Sequence, residues 1–182
     1  MEQAAPTSAK IAIKWSLIYI LIAIVITYVI EIARLDINSP VKYLSYIVLV
    51  VLLFLAQKEH RDKLGGYIKF GDAFVTALLY GLFAGILTGI FVYIYLTFLS
   101  PEIFTQTLDK QREALAAKGN LSSDQIDQGM DIAKKYGVII GAFGALVFYT
   151  ILGVIFGLIG AAILKKERSA YDPEPGTNDP AV

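Results

Sequence analysis

Three long apolar stretches constrain the fold of this chain more than any other feature, and they occupy residues 11–33, 73–99 and 137–164. At about 1.5 Å of rise per residue, a helix over any of them is longer than the ~30 Å hydrocarbon core of a bilayer. Backbone amides inside lipid must be hydrogen-bonded within the protein, which only helices and closed barrels achieve. We therefore predict three transmembrane helices. The first stretch is too long for a secretory signal peptide and lacks a small-x-small cleavage site.

A fourth, shorter helix is predicted over residues 40–57, because Ser39 and Pro40 supply an N-cap residue followed by proline at the first helical position. The whole chain is 56% hydrophobic and only 18% charged, a composition typical of a membrane protein and not of a soluble domain. We expect an all-α, polytopic membrane protein with four transmembrane helices. Its parts are an N-terminal tail at residues 1–10, one membrane domain at residues 11–164 and a disordered C-terminal tail at residues 165–182.

Glycines recur on the third and fourth helices at spacings that favour helix packing. The positions are Gly81, Gly85 and Gly89 on the third helix, and Gly141, Gly153 and Gly157 on the fourth. A four-residue spacing places small residues on one helix face, where two backbones can approach closely without a hydrophobic driving force. We predict that the third and fourth helices pack together through these faces. A second copy of the chain is the alternative partner for the fourth helix.

The segment between these helices, residues 101–136, is polar but patterned. Apolar residues follow heptad-like spacing on both sides of a break at Gly119 and Asn120. Ser122 with Gln125 three residues later forms a capping box, which indicates the start of a new helix.

Folding this segment about Asn120 places Leu115 opposite Ile126, and Phe104 near Gly137. The apolar seams match, so we predict that the third and fourth helices continue as an antiparallel helical hairpin outside the bilayer. The alternative is a pair of amphipathic helices lying on the membrane surface.

A polar, glycine-rich segment at residues 60–74 separates the second and third helices. Gly65 and Gly66 permit a turn with positive φ, and the Asp72 carboxylate opposes the positive end of the third helix dipole. The candidate interaction residues here, which we call the basic loop, are Lys58, Arg61, Asp62, Lys63, Gly65, Gly66, Tyr67, Lys69, Phe70, Gly71 and Asp72. One interpretation is a well-capped loop at the membrane interface; the other is a surface whose lysines and arginine bind anionic lipid headgroups or an acidic partner.

The distribution of lysine and arginine predicts the orientation. Nine of these residues fall in the N-terminal segment, the basic loop and the C-terminal tail, against seven on the opposite side, where they are spread over a longer loop. The positive-inside rule then places both termini in the cytoplasm.

The sequence gives no support to several classes of function. Cysteine is absent and His60 is the single histidine, which removes disulfides, thiolate nucleophiles and the usual Cys/His metal sites. The net charge of zero gives no attraction for nucleic acid. The spans contain almost no ionisable residues and no catalytic motif, so we expect neither enzyme activity nor a cofactor nor a metal. The polar side chains on the last two spans are expected to be interhelical hydrogen-bond partners: Tyr80, Thr88, Tyr93, Tyr149 and Thr150.

Three short sequences carry a resemblance to a known family. They are Arg61-Asp62-Lys63, Gly65-Gly66-Tyr67-Ile68 and Phe70-Gly71-Asp72-Ala73-Phe74, with a weaker likeness at residues 111–115 and 122–128. Together they resemble the bacterial family called domain of unknown function 4199, over residues 11 to about 164. The resemblance implies a four-helix protein of the bacterial inner membrane with no established activity and no catalytic residue to transfer. It also suggests a membrane glycosyltransferase as a partner.

Two functions remain in competition. The first is a non-catalytic accessory or interaction subunit of an inner-membrane assembly, since the chain combines a protruding ordered element with a lack of chemistry. The second is a small homo-oligomeric transporter or lipid-handling protein, suggested by the glycine faces and the tyrosines and threonines within the spans. Membrane lipids are partners in either case.

Overall fold

The structure is a computed structural model that describes residues 7–33 and 40–167. Its helices are α1 (Ser8–Ile32), α2 (Tyr43–Lys63), α3 (Phe70–Ile94), α4 (Pro101–Lys118) and α5 (Ser123–Leu164), with a 3₁₀ turn at Pro40–Lys42 and a π-helical turn at Tyr95–Leu99. The predicted N-cap at Ser39, most of the predicted N-terminal tail and residues 168–182 of the predicted C-terminal tail lie outside the described residues.

Four helices are long and apolar enough to cross a membrane: α1, α2, α3 with the π-helical turn that follows it, and α5. This confirms the predicted all-α membrane fold with four spans. The second helix differs from its predicted end at residue 57, because α2 continues to Lys63. Its last turns contain Glu59 and Lys63, whose side chains form an i,i+4 ion pair 2.6 Å long. The segment at residues 60–74 is therefore helical at both ends.

The described chain forms two compact units. One contains residues 7–33, 40–84 and 149–167, and the other contains residues 85–148. In the first unit, α1 and α2 are joined where Lys14 and the Trp15 indole, 2.7 Å away, both donate to one carboxylate oxygen of Glu59. Since Glu59 also binds Lys63, this carboxylate is held by three donors.

Helices α3 and α5 make backbone contact in the first unit through glycine. A Cβ added to Gly81 would lie 2.8 Å from the Cα of Gly153 and 2.9 Å from the carbonyl oxygen of Tyr149. Gly157 packs on Ala77 in the same way, with 2.7 Å between an added Cβ and the Ala77 methyl. Close approach of this kind replaces the hydrophobic driving force that lipid does not supply.

The same two helices are in contact in the second unit. A Cβ on Gly85 would lie 2.8 Å from the carbonyl oxygen of Leu146, and one on Gly89 would lie 2.7 Å from that of Ala142. Gly141 differs from the other five predicted packing glycines, because an added Cβ would meet nothing within 4 Å among the described residues.

The hairpin consists of α4 and the first part of α5. Gly119, with φ +65°, ends α4 in the left-handed conformation that glycine favours. The capping box forms as predicted: the Ser122 amide donates to Gln125 Oε1 over 3.0 Å, and the Gln125 amide donates to Ser122 Oγ over 3.3 Å. An ion pair between Arg112 and Asp127 joins the two helices.

The predicted apolar seam of the hairpin is present at several positions. Leu108 and Ile126 are 8% and 6% exposed, which is unusual among the surrounding charged residues. The Phe104 ring packs against Gly137, where an added Cβ would lie 2.9 Å from Cζ. At about 1.5 Å per residue, the 42 residues of α5 extend about 63 Å, twice the hydrocarbon thickness. The charged residues at its start, 123–136, therefore extend beyond the span.

Replacing Gly81 by alanine should destabilise the protein by about 1–3 kcal/mol, because the new methyl group overpacks the backbone of α5. The matched control is Gly141→Ala, which has open space and gains helix propensity. Thermal unfolding in mild detergent, followed by circular dichroism, measures both. Equal melting temperatures for the two variants would contradict the contact.

Since the chain has no native cysteine, engineered pairs report directly on the hairpin. Leu115→Cys with Ile126→Cys should form a disulfide under mild oxidation, because the predicted register places these positions opposite each other across the seam. The control pairs Leu115→Cys with Ile132→Cys, since Ile132 is 59% exposed. Comparable oxidation of both pairs would contradict the hairpin register.

Candidate functional site

The basic loop begins with a helix C-cap that the sequence determines locally. The Gly65 amide donates to the Asp62 carbonyl over 3.1 Å, and the Gly66 amide donates to the Arg61 carbonyl over 3.0 Å. Gly65 and Gly66 have φ of +79° and +86°. This pair of hydrogen bonds after a left-handed glycine is a Schellman motif, which satisfies the last carbonyls of α2. The predicted positive φ at both glycines is what makes it possible.

The loop is fixed to the end of α5 by a short antiparallel bridge. The Ile68 amide donates to the Lys166 carbonyl over 2.9 Å, and the Lys166 amide donates to the Ile68 carbonyl over 3.0 Å. Ile68 is only 2% exposed, and it packs with Ala73 and Ala161. The Lys166 ammonium lies 5.1 Å from the centroid of the Tyr67 ring, within cation–π range. The start of the predicted disordered tail is thus part of the folded structure.

The candidate residues of the basic loop do not form one cluster. Lys63 binds Glu59, and Arg61 contacts its neighbour Asp62 over 3.4 Å. Lys69 and Asp72 instead line a groove of about 390 Å³ together with Tyr67, Lys166 and Glu167. Of the remaining candidates, Lys58 is exposed, Phe70 stacks on Phe74 with centroids 6.4 Å apart, and Gly71 has open space beside it.

A buried glutamine that the sequence analysis missed connects three helices. Gln57 is fully buried, and its amide nitrogen donates to the carbonyl of Ala73 on α3 over 3.1 Å and to that of Gly157 on α5 over 3.0 Å. Two carbonyl acceptors fix the orientation of the amide, because its oxygen cannot face them. The oxygen, Oε1, has no conventional hydrogen-bond partner in the described chain.

Gly160 explains how that oxygen is accommodated. A Cβ added to Gly160 would collide with Gln57 Oε1, so one Cα hydrogen of the glycine points at the oxygen. Such Cα–H···O contacts are weak but recur where helices approach closely. The sequence could have identified Gln57, because burying a glutamine side chain at the end of an apolar run costs free energy unless the amide has hydrogen-bond partners.

One turn further along α2, His60 forms a second polar contact with α3. His60 is 5% exposed, and its Nδ1 lies 2.6 Å from the hydroxyl oxygen of Thr76. The Thr76 hydroxyl donates its hydrogen to the Asp72 backbone carbonyl over 2.8 Å. His60 Nδ1 must therefore carry a hydrogen and donate it, which defines the tautomer.

Within the first unit, tyrosine hydroxyls form hydrogen bonds between helices. The Tyr19 hydroxyl donates to that of Tyr149 over 2.9 Å, and the Tyr80 hydroxyl donates to the Leu49 carbonyl over 3.1 Å. The Tyr46 ring also lies against Tyr149, with centroids 6.4 Å apart. These side chains connect α1, α2, α3 and α5, and their hydrogen bonds are the interhelical bonds that the sequence predicted for Tyr80 and Tyr149.

In the second unit, the structure does not show the interhelical hydrogen bond that the sequence predicted for Thr88. The Thr88 hydroxyl is buried and has no hydrogen-bond partner in the part of the chain that the structure describes. Tyr93 is 42% exposed, which places it at the surface of α3.

The hairpin carries a second groove, of about 630 Å³, which is lined by both apolar and charged side chains. Phe104, Leu108 and Met130 supply apolar surface. The charged lining residues are Asp109, Arg112, Asp127, Asp131 and Lys134. Arg112 pairs with Asp127, whereas neither Asp109 nor Asp131 forms an ion pair with another described residue. Within residues 7–33 and 40–167 there is also no group of three or more histidine, aspartate or glutamate side chains that could hold a metal ion.

Comparison with known proteins adds one result to this geometry. The sequence model of the family described as "Protein of unknown function (DUF4199)" matches residues 14–166. The chain belongs to the DUF4199 family. The match covers α1 from Lys14 onward, the other three membrane helices, the basic loop, the hairpin and the bridge at Lys166. No curated protein and no solved structure gave a significant match.

Replacing Gln57 by leucine should destabilise this DUF4199 protein by about 1–2 kcal/mol, because two interhelical hydrogen bonds are lost. Gln57→Glu should cost more, since a carboxylate would face two carbonyl oxygens. Gln111→Leu, at an exposed hairpin position, is the control and should have little effect. Denaturant unfolding in detergent micelles measures the differences, and a neutral Gln57→Leu variant would contradict the three-helix connection.

Proposed function

We propose that this protein is a non-catalytic accessory subunit of a larger membrane assembly, and that its hairpin contacts the partner. The observation that supports this most is how the polar groups are distributed. Tyr19, Tyr80 and Gln57 use their donors within the protein, which is what stable packing requires and leaves little for a transport path. The hairpin, in contrast, presents charged side chains on a rigid scaffold.

Rigidity matters because a surface that is ordered before binding loses less conformational entropy on association. The Ser122–Gln125 capping box, the Gly119 C-cap and the Arg112–Asp127 ion pair all order the hairpin without a partner. The groove between α4 and α5 then offers apolar surface beside three carboxylates, Asp109, Asp127 and Asp131, and two cations, Arg112 and Lys134. Because Arg112 pairs with Asp127, two carboxylates remain against one cation, and a partner segment with apolar residues and lysine or arginine fits this excess of negative charge.

The proposal includes a location. Positive residues are more numerous beside the termini and the basic loop, so these face the cytoplasm of a bacterial cell and the hairpin faces the other side of the inner membrane. A membrane glycosyltransferase is the class of partner that the family resemblance suggests. Neither a cofactor nor a metal is part of this function.

The alternative is a small homo-oligomeric transporter or lipid-handling protein. Gly141 and Gly144 support it, because a Cβ at either position would meet nothing within 4 Å among the described residues and the face is open to another helix. In this version any pathway would lie between copies of the chain. A strictly monomeric species in nanodiscs would argue against it.

Photocrosslinking from the hairpin tests the accessory role. A photoreactive amino acid at Lys118 should give an adduct with one larger membrane protein in cells, identified by mass spectrometry. Replacing residues 102–135 by a short linker should abolish recovery of that protein by affinity purification, while membrane insertion is unchanged.

A charge-reversal variant separates a lost contact from a damaged fold. Asp109→Lys with Asp131→Lys should reduce the adduct severalfold, because two carboxylates of the groove become like charges for a basic partner. The control is Glu113→Lys, an exposed position on α4 that does not line the groove. Adducts with the chain itself alone would favour the homo-oligomer, and equal adducts from all variants would contradict the groove as the contact.

A further inference from the structure

Four charged side chains line the groove beside the basic loop. Lys69 and Lys166 are cations, and Asp72 and Glu167 are carboxylates. Among the residues that the structure describes, none of the four forms a salt bridge with another side chain. A groove with two charges of each sign, none of them in a salt bridge within the described chain, favours a ligand that also carries both signs.

The groove has a fixed framework. The two hydrogen bonds between Ile68 and Lys166 hold the backbone on which Lys69 and Glu167 are the next residues. The Lys166 ammonium lies 5.1 Å from the centroid of the Tyr67 ring, and this cation–π contact helps to position it. Asp72 projects from the first turn of α3, a 25-residue helix. Its volume of about 390 Å³ is within the ~300–1,000 Å³ range of small-ligand sites.

The position of the groove limits which ligands can reach it. It lies on the short connection between two membrane-spanning helices, α2 and α3, and next to the end of a third, α5. Such connections lie at the level of the lipid headgroups, where Tyr67 and Lys69 are typical interfacial residues. A lipid headgroup is therefore the most concentrated ligand available to this groove.

We propose that this groove binds the phosphoethanolamine headgroup of a glycerophospholipid. The phosphate is placed at Lys69 and Lys166, and the primary ammonium at Asp72 and Glu167. A choline headgroup lacks the N–H groups that could donate to two carboxylates, and a glycerol headgroup lacks the cation. Binding at this site is independent of the accessory role, because the hairpin takes no part in it.

The test uses the purified full chain and native mass spectrometry. The protein is mixed in mild detergent with equimolar phosphatidylethanolamine, phosphatidylcholine and phosphatidylglycerol that share the same acyl chains. We expect one phosphatidylethanolamine to be retained at least fivefold more often than either competitor. Equal retention of all three lipids, or preference for phosphatidylglycerol, would overturn the proposal.

Paired variants test the two halves of the groove. Lys69→Gln with Lys166→Gln should remove the preference by weakening the phosphate contact, and Glu167→Gln alone should reduce it by weakening the ammonium contact. Glu167 is exposed, so its replacement leaves the fold intact. Lys118→Gln with Glu113→Gln, on the hairpin, is the control and should retain the wild-type preference. A preference that survives both groove variants would contradict the assignment.

The chain itself offers a competing occupant, because residues 168–182 follow Glu167 directly and contain one basic residue, Arg168, and three acidic residues. A variant that ends at Glu167 resolves this. Phosphatidylethanolamine preference equal to that of the full chain supports the lipid site. Preference that appears only after truncation would overturn it and assign the groove to the C-terminal segment.

Discussion

A bilayer core supplies no water to polar groups, and this constraint accounts for most of what the structure shows inside the spans. The backbone meets it by forming helices. Gln57 meets it by donating to carbonyls on two other helices, with a glycine hydrogen against its oxygen. The tyrosines meet it by bonding to one another or to a carbonyl. The side-chain hydrogen bonds join separate helices, so the same contacts that satisfy these polar groups also hold neighbouring helices together.

Glycine makes the second contribution, because it lets backbones come close enough for dispersion forces to replace the missing hydrophobic effect. The contact between Gly81 and Gly153 leaves no room for a methyl group on either side. Gly160 has a different role, as it makes space for the buried oxygen of Gln57. Glycines at different positions of α5 therefore serve two purposes: close helix packing and space for a buried polar oxygen.

The basic loop is ordered by one local contact and one long-range contact. The Schellman motif at Gly65 and Gly66 ends α2 locally, whereas the bridge between Ile68 and Lys166 ties the loop to a residue about a hundred positions away. The result separates the basic residues by environment. Lys63 is neutralised by Glu59, but Lys69 and Lys166 keep their charges available in a groove. This division leaves a groove lined by Lys69 and Lys166 beside the basic loop, separate from the ion pairs of Glu59.

Local patterns predicted a large part of this protein. Apolar length predicted three of the four spans, and an N-cap residue followed by proline predicted the shorter one, α2. Glycine spacing predicted the contact between α3 and α5, and the Ser122–Gln125 capping box predicted the start of α5. Each of these depends on residues within a few turns of one another, so the sequence contains the whole signal. Tertiary structure decided the rest: which carbonyls Gln57 binds, that Lys166 is part of the basic loop, and that Gly141 faces open space. Those outcomes depend on residues from different helices meeting in space, and only the packed helices set the distances between them.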